Sequence, residues 1–304
     1  MIAALRRLVV LLPLLAASAQ AAPLEVALTF DDLPSHGPLP PGVTRVDIAK
    51  AVLATLQAHK APYVYGFING KKIDDVPADV QVLELWHQAG YPLANHSYSH
   101  MDLHKHTAAE FLQDVAANEK ALHVFMGGQD WQWFRYPYLR EGDTLAKRHE
   151  VAQALKQRGY RTAEVTLDFD DYAFNEPYAR CVARGDTAAI EGLKQLYMER
   201  AESQIEAGEV AARKVFGRDI KHVMLLHIGG FEAVMLPRLL DLLQQRGAHL
   251  IRLDEAQSDP VYLLDPDQTP KYGGRFTDLV AASKQIELPR RDNAFFERLE
   301  KTCT

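Results

Sequence analysis

The stretch Ala27–Asp32, which reads ALTFDD, decides the fold of this chain. Its first four residues suit a buried strand, whereas the last two, Asp31 and Asp32, are adjacent carboxylates. Burying two carboxylates without a partner is costly, so a cation or several hydrogen-bond donors must face them. The pair therefore either ends a buried strand beside a counter-charge or belongs to a turn or helix cap.

Strand-like and helix-like stretches alternate along the rest of the chain. Strands are predicted at residues 24–30, 63–68, 91–95, 131–134, 162–167, 222–226 and 249–253. Helices are predicted at residues 46–59, 80–88, 107–125, 143–158, 186–216 and 234–246. The stretch 186–216 is long enough for two helices. Such alternation predicts a parallel sheet, and about seven units favour a barrel over an open sheet.

Capping residues support the third predicted helix. Thr107 and Glu110 have the spacing of a capping box, in which each side chain bonds the backbone N–H of the other residue. Gly127 and Gly128 follow the last apolar residues, where glycine commonly ends a helix. These signals place the helix between residues 107 and 125.

The overall composition is that of a globular protein. Of 304 residues, 47% are hydrophobic and 24% are charged, and no repeat or low-complexity stretch divides the chain. A chain of this length can form one α/β barrel domain. The net charge is −6 and there are no basic runs, which argues against nucleic acid as a partner.

The N-terminus has the layout of a secretory signal peptide. Arg6 and Arg7 precede an apolar run at Leu8–Ala17, and Ala19-Gln20-Ala21 has the small-x-small pattern of a cleavage site. The apolar run is shorter than the about 20 residues of a membrane-spanning helix. We therefore expect residues 1–21 to be removed, and a periplasmic or secreted protein without stable membrane insertion.

The chain has two cysteines, Cys181 and Cys303. In an oxidising compartment they either form a disulfide that ties the C-terminal tail to the middle of the chain, or remain free thiols. The sequence argues against a metal site on these cysteines, because neither has a neighbour at ligand spacing.

Polar clusters follow five of the predicted strands. They lie at residues 31–32, 95–100, 135–138, 168–172 and 225–230. In a parallel barrel the carboxyl ends of the strands meet at one end, where active sites are found. The five clusters are therefore expected to surround one pocket.

The second cluster contains His96 and His100, four residues apart. On one helical turn this spacing would place both imidazoles on the same face. Two imidazoles and one carboxylate form an open three-ligand site typical of hydrolytic zinc, although cobalt, nickel and manganese accept similar ligands. One aspartate of the Asp31–Asp32 pair would then bind the cation while the other takes a proton from water. Surface or capping histidines are the alternative.

The remaining clusters supply further candidate groups. Arg135 either pairs with the free aspartate or lies on the surface. Tyr138 either offers its backbone N–H to an oxyanion or is a packing residue. His227 either protonates a leaving group, with Asp171 orienting it, or is a satisfied core histidine.

Five motifs occur in a fixed order, and together they resemble the polysaccharide deacetylases of carbohydrate esterase family four. They are Thr29-Phe30-Asp31-Asp32, His96-Ser97-Tyr98-Ser99-His100, Arg135-Tyr136-Pro137-Tyr138, Asp168-Phe169-Asp170-Asp171-Tyr172 and Leu225-Leu226-His227. The resemblance covers roughly Leu24 to Tyr262. Together with the N-terminal pattern, this predicts three parts: a signal peptide (1–21), a deacetylase-like barrel (22–262) and a C-terminal extension packed on the barrel (263–304).

The resemblance implies a distorted (β/α)7 barrel of parallel strands in a single domain. It also implies removal of acetyl groups from N- or O-acetylated glycans with a divalent metal ion, zinc first and cobalt, nickel or manganese as alternatives. The implied roles are Asp31 as general base, Asp32, His96 and His100 as metal ligands, Arg135 as the residue that positions Asp31, the Tyr138 backbone in an oxyanion hole, Asp171 as the partner that tunes the general acid His227, and Leu225 lining the acetyl pocket.

Several positions depart from the family pattern and bear on the substrate. Leu33 stands where glycine is usual, Tyr172 replaces a tryptophan and is a candidate pocket aromatic, and the segment 173–221 is long. His36 either borders the pocket or lies on a surface loop. Three functions therefore remain: a glycan deacetylase, an amidohydrolase of the same fold acting on a non-sugar amide, and a catalytically silent glycan-binding module.

Overall fold

The computed structural model describes residues 23–289 and 294–304. The predicted signal peptide, residues 1–21, lies outside the described residues. Among those that are described, no helix is both long and apolar enough to cross a bilayer.

Seven strands and eleven α-helices make up the described part of the chain. The strands are β1 (Glu25–Leu33), β2 (Tyr65–Ile68), β3 (Leu93–Asn95), β4 (Trp133–Phe134), β5 (Arg161–Thr162), β6 (Lys221–His227) and β7 (His249–Leu250). The helices are α1 (Arg45–Ala58), α2 (Gly70–Asp75), α3 (Val80–Gln88), α4 (Ala108–Met126), α5 (Leu145–Gln157), α6 (Asn175–Arg184), α7 (Thr187–Phe216), α8 (Gly230–Gln245), α9 (Leu253–Ala256), α10 (Phe276–Ser283) and α11 (Ala294–Glu300).

The strands form one parallel sheet in the order β5-β4-β3-β2-β1-β6, with β7 beside the start of β1. β1 pairs with β6 from Glu25 opposite Lys221 to Asp31 opposite His227. This register places the end of the ALTFDD stretch directly beside the last histidine motif. The predicted fold class, a parallel α/β barrel-like domain, is confirmed.

One segment joins the two ends of the curled sheet. Ala163 N donates to Phe134 O on β4 at 2.8 Å, and four residues later Leu167 pairs with Met224 on β6. The prediction of a continuous strand over 162–167 is therefore wrong, because only Arg161–Thr162 forms a strand beside β4. The chain then changes partners from β4 to β6, which closes the ring.

Alternation along β1 separates the two faces of the sheet. Val26, Leu28 and Phe30 pack into the large core between sheet and helices. Ala27 belongs to a smaller core inside the curled sheet, with Phe67, Trp133 and other residues of the facing strands. Because strand side chains alternate with a period of two, Thr29 and Asp31 follow Ala27 to the inner face.

The predicted helices are found with small shifts, and additional ones appear. α4 begins with the expected capping box between Thr107 and Glu110. The stretch predicted as one or two helices is one helix, α7, which ends at the left-handed Gly217. The predicted strand at 249–253 is wrong in its second half, because Leu253 starts helix α9.

The C-terminal helix α11 is fastened to α6. Cys181 and Cys303 form a disulfide with an S–S distance of 2.09 Å. The Arg180 guanidinium donates to the carbonyl oxygens of Leu299, Glu300 and Thr302. The end of the chain thus packs beside the helix that follows the fourth motif.

Candidate active site

Asp31 and Asp32 both face one site, although neighbours on a regular strand point to opposite faces. The pairing register shifts between Phe30 and Leu33, and Asp32 has a left-handed φ of 70°. Both carboxylates are nearly buried, with exposures of 2% and 4%. The local twist of the backbone therefore creates the acid pair that the sequence suggested.

Arg135 is the counter-charge of Asp31. Its Nη1 lies 3.3 and 3.4 Å from the two carboxylate oxygens of Asp31, and its Nη2 donates to Thr29 Oγ1 at 3.1 Å. Its Nε donates to Ala163 O at 2.6 Å. Arg135 is 1% exposed, so it is not a surface residue. Burial raises the pKa of Asp31, and Arg135 opposes this shift without cancelling it.

Asp32, His96 and His100 come together beside this pair. Their ligand atoms all lie within 4.8 Å of one another. Asp32 Oδ1 is 3.5 Å from His100 Nε2 and 4.0 Å from His96 Nε2. His96 Nδ1 lies 2.8 Å from Arg135 O. Since a carbonyl oxygen only accepts, Nδ1 carries the hydrogen and Nε2 keeps its lone pair.

The protonation states of these three residues suit a divalent cation. Burial lowers the pKa of both His96 and His100 to about 3, although the Asp32 carboxylate opposes this. Burial alone would raise the pKa of Asp32, but Lys72 and His36 hold it well below its usual value. Two neutral imidazoles and one ionised carboxylate are the donors that zinc and similar ions bind.

The local structure of the second motif differs from the expected helical turn. Residues 96–100 form an irregular loop in which Ser97 and His100 have left-handed φ values of 59° and 57°. Asn95 Oδ1 accepts from Ser97 N, and Asp114 on α4 accepts from Ser99 N. Asparagine and aspartate side chains thus hold a loop that brings the imidazoles together, with ring centroids 4.8 Å apart.

Two further side chains contact Asp32. His36 Nδ1 lies 2.6 Å from Asp32 Oδ2, so His36 borders the site and is not a remote surface residue. The Lys72 ammonium on α2 donates to Asp32 Oδ1 and to Asp32 O, both at 3.1 Å. Sequence reasoning missed Lys72. Its only signal is that it follows the turn residues Asn69-Gly70 at the carboxyl end of β2.

His227 and Asp171 form the second acid–base pair of the site. His227 Nδ1 lies 2.9 Å from Asp171 Oδ1, and His227 N donates to Asp171 Oδ2 at 2.6 Å. Burial alone would lower the pKa of His227, but the Asp171 carboxylate outweighs it and raises the pKa to about 9. The imidazole is therefore protonated at neutral pH.

The predicted pocket residues line one cavity of about 860 Å³. Those that line it are Asp31, Asp32, His96, His100, Tyr138, Tyr172, Leu225 and His227. Arg135 and Asp171 lie behind this surface, in contact with Asp31 and His227. Tyr138 and Leu139 both have left-handed backbone, with φ values of 60° and 51°. The Tyr138 ring packs against His100 with centroids 4.5 Å apart.

Residues beyond the barrel also line this cavity. Side chains and backbone from Gln268 to Pro289 form one of its sides. Nothing in the sequence signalled this contribution, because the segment has no recognisable motif and follows the last predicted strand.

The fold and the cavity define a class: a curled parallel α/β barrel with titratable groups at the carboxyl ends of its strands. Residues 19–163, just under half of the chain, match the family model for polysaccharide deacetylase. This match confirms the resemblance to polysaccharide deacetylases that the five motifs indicated.

A curated relative is a chitin deacetylase of Arthroderma benhamiae. It is 21% identical over 235 residues, which cover 77% of this chain and 52% of the relative. The chain therefore spans about half the length of this relative.

Solved structures share the fold at low sequence identity. A carbohydrate esterase family four pseudoenzyme from Bacillus anthracis superposes with a TM-score of 0.52 at 15% identity, over 78% of this chain and 66% of that one. The chitin deacetylase of the fungal pathogen Colletotrichum lindemuthianum has a TM-score of 0.50 at 20% identity, over 77% and 87% of the two chains. Since one of these structural neighbours is a pseudoenzyme, likeness in fold alone does not make this chain a catalyst.

Proposed function

We propose that this protein is a metal-dependent hydrolase that removes acetyl groups from N- or O-acetylated poly- or oligosaccharides. One observation carries the proposal. Asp31 and His227, paired with Arg135 and Asp171 respectively, face the same cavity as the Asp32–His96–His100 set. A base, an acid and a cation site in one cavity are what hydrolysis of an amide or ester requires.

Asp31 is the proposed general base. Burial raises the pKa of the Asp31 carboxyl above its ordinary value, which makes the carboxylate a stronger base, and the Arg135 guanidinium favours its charged form. Arg135 holds both oxygens of Asp31 and so fixes the direction in which the carboxylate accepts. When bound by Asp32, His96 and His100, a divalent cation would polarise the acetyl carbonyl and lower the pKa of water.

His227 is the proposed general acid. With its pKa raised to about 9, it carries a proton that it can give to the leaving amine or alcohol at neutral pH. Asp171 accepts from Nδ1, which leaves the Nε2 hydrogen as the one available for transfer. The backbone N–H of Tyr138 is proposed to bind the developing oxyanion, Leu225 to contact the acetyl methyl group, and Tyr172 to contact the sugar.

The cation is proposed to be zinc, with cobalt, nickel or manganese as alternatives that accept the same ligands. We also propose that residues 1–21 are removed and that the mature protein is periplasmic or secreted. The Cys181–Cys303 disulfide supports this, because such bonds persist in oxidising compartments. The proposed division of the mature chain is a barrel at 22–262 and an extension at 263–304.

A second candidate is an amidohydrolase of the same fold that acts on a non-sugar amide. The apolar side of the cavity favours it, since Leu279, Ile286 and Leu288 lie there. Acetate release from N-acetylated chito-oligosaccharides, peptidoglycan fragments and acetylated xylan separates the two. Release from at least one glycan is expected, and release from none would favour the non-sugar amide.

Catalysis is tested with Asp31→Asn in the same assay. Removing the base is expected to lower kcat about 100-fold or more while zinc binding, measured by calorimetry, persists. Equal acetate release by the wild type and the variant would instead support a silent glycan-binding module.

A further inference from the structure

One side of the catalytic cavity comes from a segment outside the matched family region. We call residues 268–289 the C-terminal wall. They line the cavity that contains Asp31 and His227, whereas the family match ends at residue 163. An acetyl group is far smaller than a cavity of about 860 Å³, so the rest of a substrate must meet other surfaces, and the C-terminal wall is one of them.

The C-terminal wall is packed firmly onto the barrel. Phe276 is 1% exposed, and its N–H donates to Val165 O at 2.7 Å. Val280 and Ala281 join a small apolar core with Val215 at the end of α7. The wall is therefore a built part of the fold at the site, not a loosely attached tail.

Gly273 ties the C-terminal wall to the catalytic turn. It has a left-handed φ of +74°, and a Cβ placed on it would lie 2.2 Å from Tyr138 O and 2.8 Å from Leu139 O. Backbone oxygens cannot move aside as the end of a flexible side chain can. Only glycine fits here, and the distance between the wall and the Tyr138–Leu139 turn is thereby fixed.

Tyr272, the neighbour of Gly273, presents an aromatic ring to the same cavity. It is 73% exposed. Of the four tyrosines that are exposed among the described residues, Tyr138, Tyr172 and Tyr272 line this cavity and Tyr63 does not. One face of a pyranose ring carries C–H groups, which pack on an aromatic ring while the hydroxyls stay solvated or hydrogen-bonded.

Polar residues of the C-terminal wall are close to Tyr272 in the sequence. Arg275 donates from Nε and Nη2 to the two oxygens of Asp278, at 2.8 and 3.0 Å, and both residues line the cavity together with Gln268. A rigid charged pair and an amide beside an exposed aromatic ring match the mixed character of a sugar, which has apolar faces and a polar rim.

We propose that the C-terminal wall forms a sugar subsite in which Tyr272 stacks on a pyranose ring. This ring belongs to the sugar next to the one that loses its acetyl group, and Gly273 fixes the distance between the wall and the Tyr138–Leu139 turn. This inference rests on the proposed function and specifies its substrate. A substrate of two or more sugar units is then expected to bind more tightly than a single acetylated sugar, because it gains the contact with Tyr272.

The subsite is tested with Tyr272→Ala and Tyr272→Phe on N-acetylglucosamine and on fully N-acetylated chitotetraose. Tyr272→Ala is expected to raise KM for chitotetraose about tenfold, the loss of one aromatic stacking contact, and to leave KM for N-acetylglucosamine unchanged. Tyr272→Phe keeps the ring and should keep the wild-type KM. The matched control is Tyr63→Ala. It removes an exposed tyrosine that precedes β2 and does not line the cavity, so KM for both substrates should stay unchanged.

A binding measurement separates failure of the subsite from failure of the proposed function. Calorimetry with chitotetraose uses Asp31→Asn, which is expected to slow turnover, with and without Tyr272→Ala. A roughly tenfold weaker Kd on loss of Tyr272 supports the subsite even if the wild type releases no acetate, which would overturn the deacetylase function alone. An unchanged Kd, no binding at all, or an unchanged KM for chitotetraose overturns the subsite.

Gly273→Ala tests the link between the wall and the turn. Gly247→Ala is the control, because Gly247 has a similar φ of +70° with nothing within 4 Å of an added Cβ. We expect Gly273→Ala to lower kcat about tenfold or more, as small displacements of catalytic groups do, while Gly247→Ala leaves kcat unchanged. Equal kcat in both variants, at equal melting temperatures, would overturn the role of Gly273. If Gly273→Ala does not fold, the Tyr272 variants decide the proposal.

Discussion

The described part of the chain contains two clusters of histidine and aspartate with nearly the same chemistry and different surroundings. One is Asp32–His96–His100 and the other is His149–Asp265–Asp267, and in each the ligand atoms lie within 4.8 Å of one another. The side chains of His96 and Asp32 are 2% and 5% exposed. Those of His149 and Asp267 are 54% and 53% exposed.

The charges around the two clusters also differ. In the exposed cluster Arg148 Nη1 donates to Asp265 Oδ1 at 2.7 Å, and His149 Nε2 lies 2.7 Å from Asp267 Oδ1. Those carboxylates already have Arg148 and His149 as partners and are exposed to solvent. In the buried cluster both imidazoles are held neutral by burial beside an ionised carboxylate. The comparison indicates that burial, more than residue type or spacing, distinguishes the proposed cation site from the exposed cluster.

The largest expected difference between the clusters is in metal affinity. His96→Ala removes a ligand from the buried cluster and should weaken zinc binding by about 100-fold or more, because loss of an indirect supporting partner alone costs 10- to 100-fold. His149→Ala should leave the affinity unchanged. Calorimetric titration of the metal-free protein with zinc measures both, and an equal loss in the two variants would contradict the comparison.

Removing a buried arginine is expected to lower the free energy of unfolding more than removing an exposed one. Arg135→Met leaves the buried Asp31 without its partner and should lower the free energy of unfolding by about 3–5 kcal/mol. Arg213→Met breaks the exposed pair with Asp219, which is 2.9 Å long, and should cost no more than about 1 kcal/mol. Urea denaturation gives both values. Similar losses of unfolding free energy in the two variants would mean that burial does not determine how much the Arg135–Asp31 pair contributes to stability.

The smallest expected effect is a shift in pH dependence at the buried His227–Asp171 pair. Because Asp171 raises the pKa of His227 to about 9, this proposed general acid is protonated below that pH, and activity should fall as the pH rises through it. Asp171→Asn removes the negative charge, so the alkaline limb of kcat/KM should move towards about 6.5, the ordinary histidine value. An alkaline limb that stays near pH 9 in this variant would assign the raised pKa to another group.

Local patterns made much of the fold predictable. Helix α3 has the predicted bounds Val80–Gln88, and α4 starts at the predicted capping box. These features depend on interactions between residues three or four apart, which can be read from a single sequence. The order of the five motifs was equally readable, because each follows an apolar run at the carboxyl end of a strand.

Other features were not readable because they depend on distant partners. The loop that holds His96 and His100 is set by Asp114 on α4, 15 residues from Ser99. Lys72 reaches Asp32 across 40 residues, and the segment after β5 pairs with β4 and then with β6. None of these contacts leaves a periodic trace in the sequence.

The sequence by itself determined which groups could do chemistry and at which end of the sheet they lie, since apolar runs specify buried strands and polar residues mark their ends. Only the tertiary structure decided how those groups face one another. The left-handed turn at Asp32, the burial that keeps His96 and His100 neutral, and the approach of Gly273 to the Tyr138–Leu139 turn all arise from packing between segments far apart in the chain. Burial and backbone contact are properties of the assembled fold, so they determine charge states and distances that no local pattern encodes.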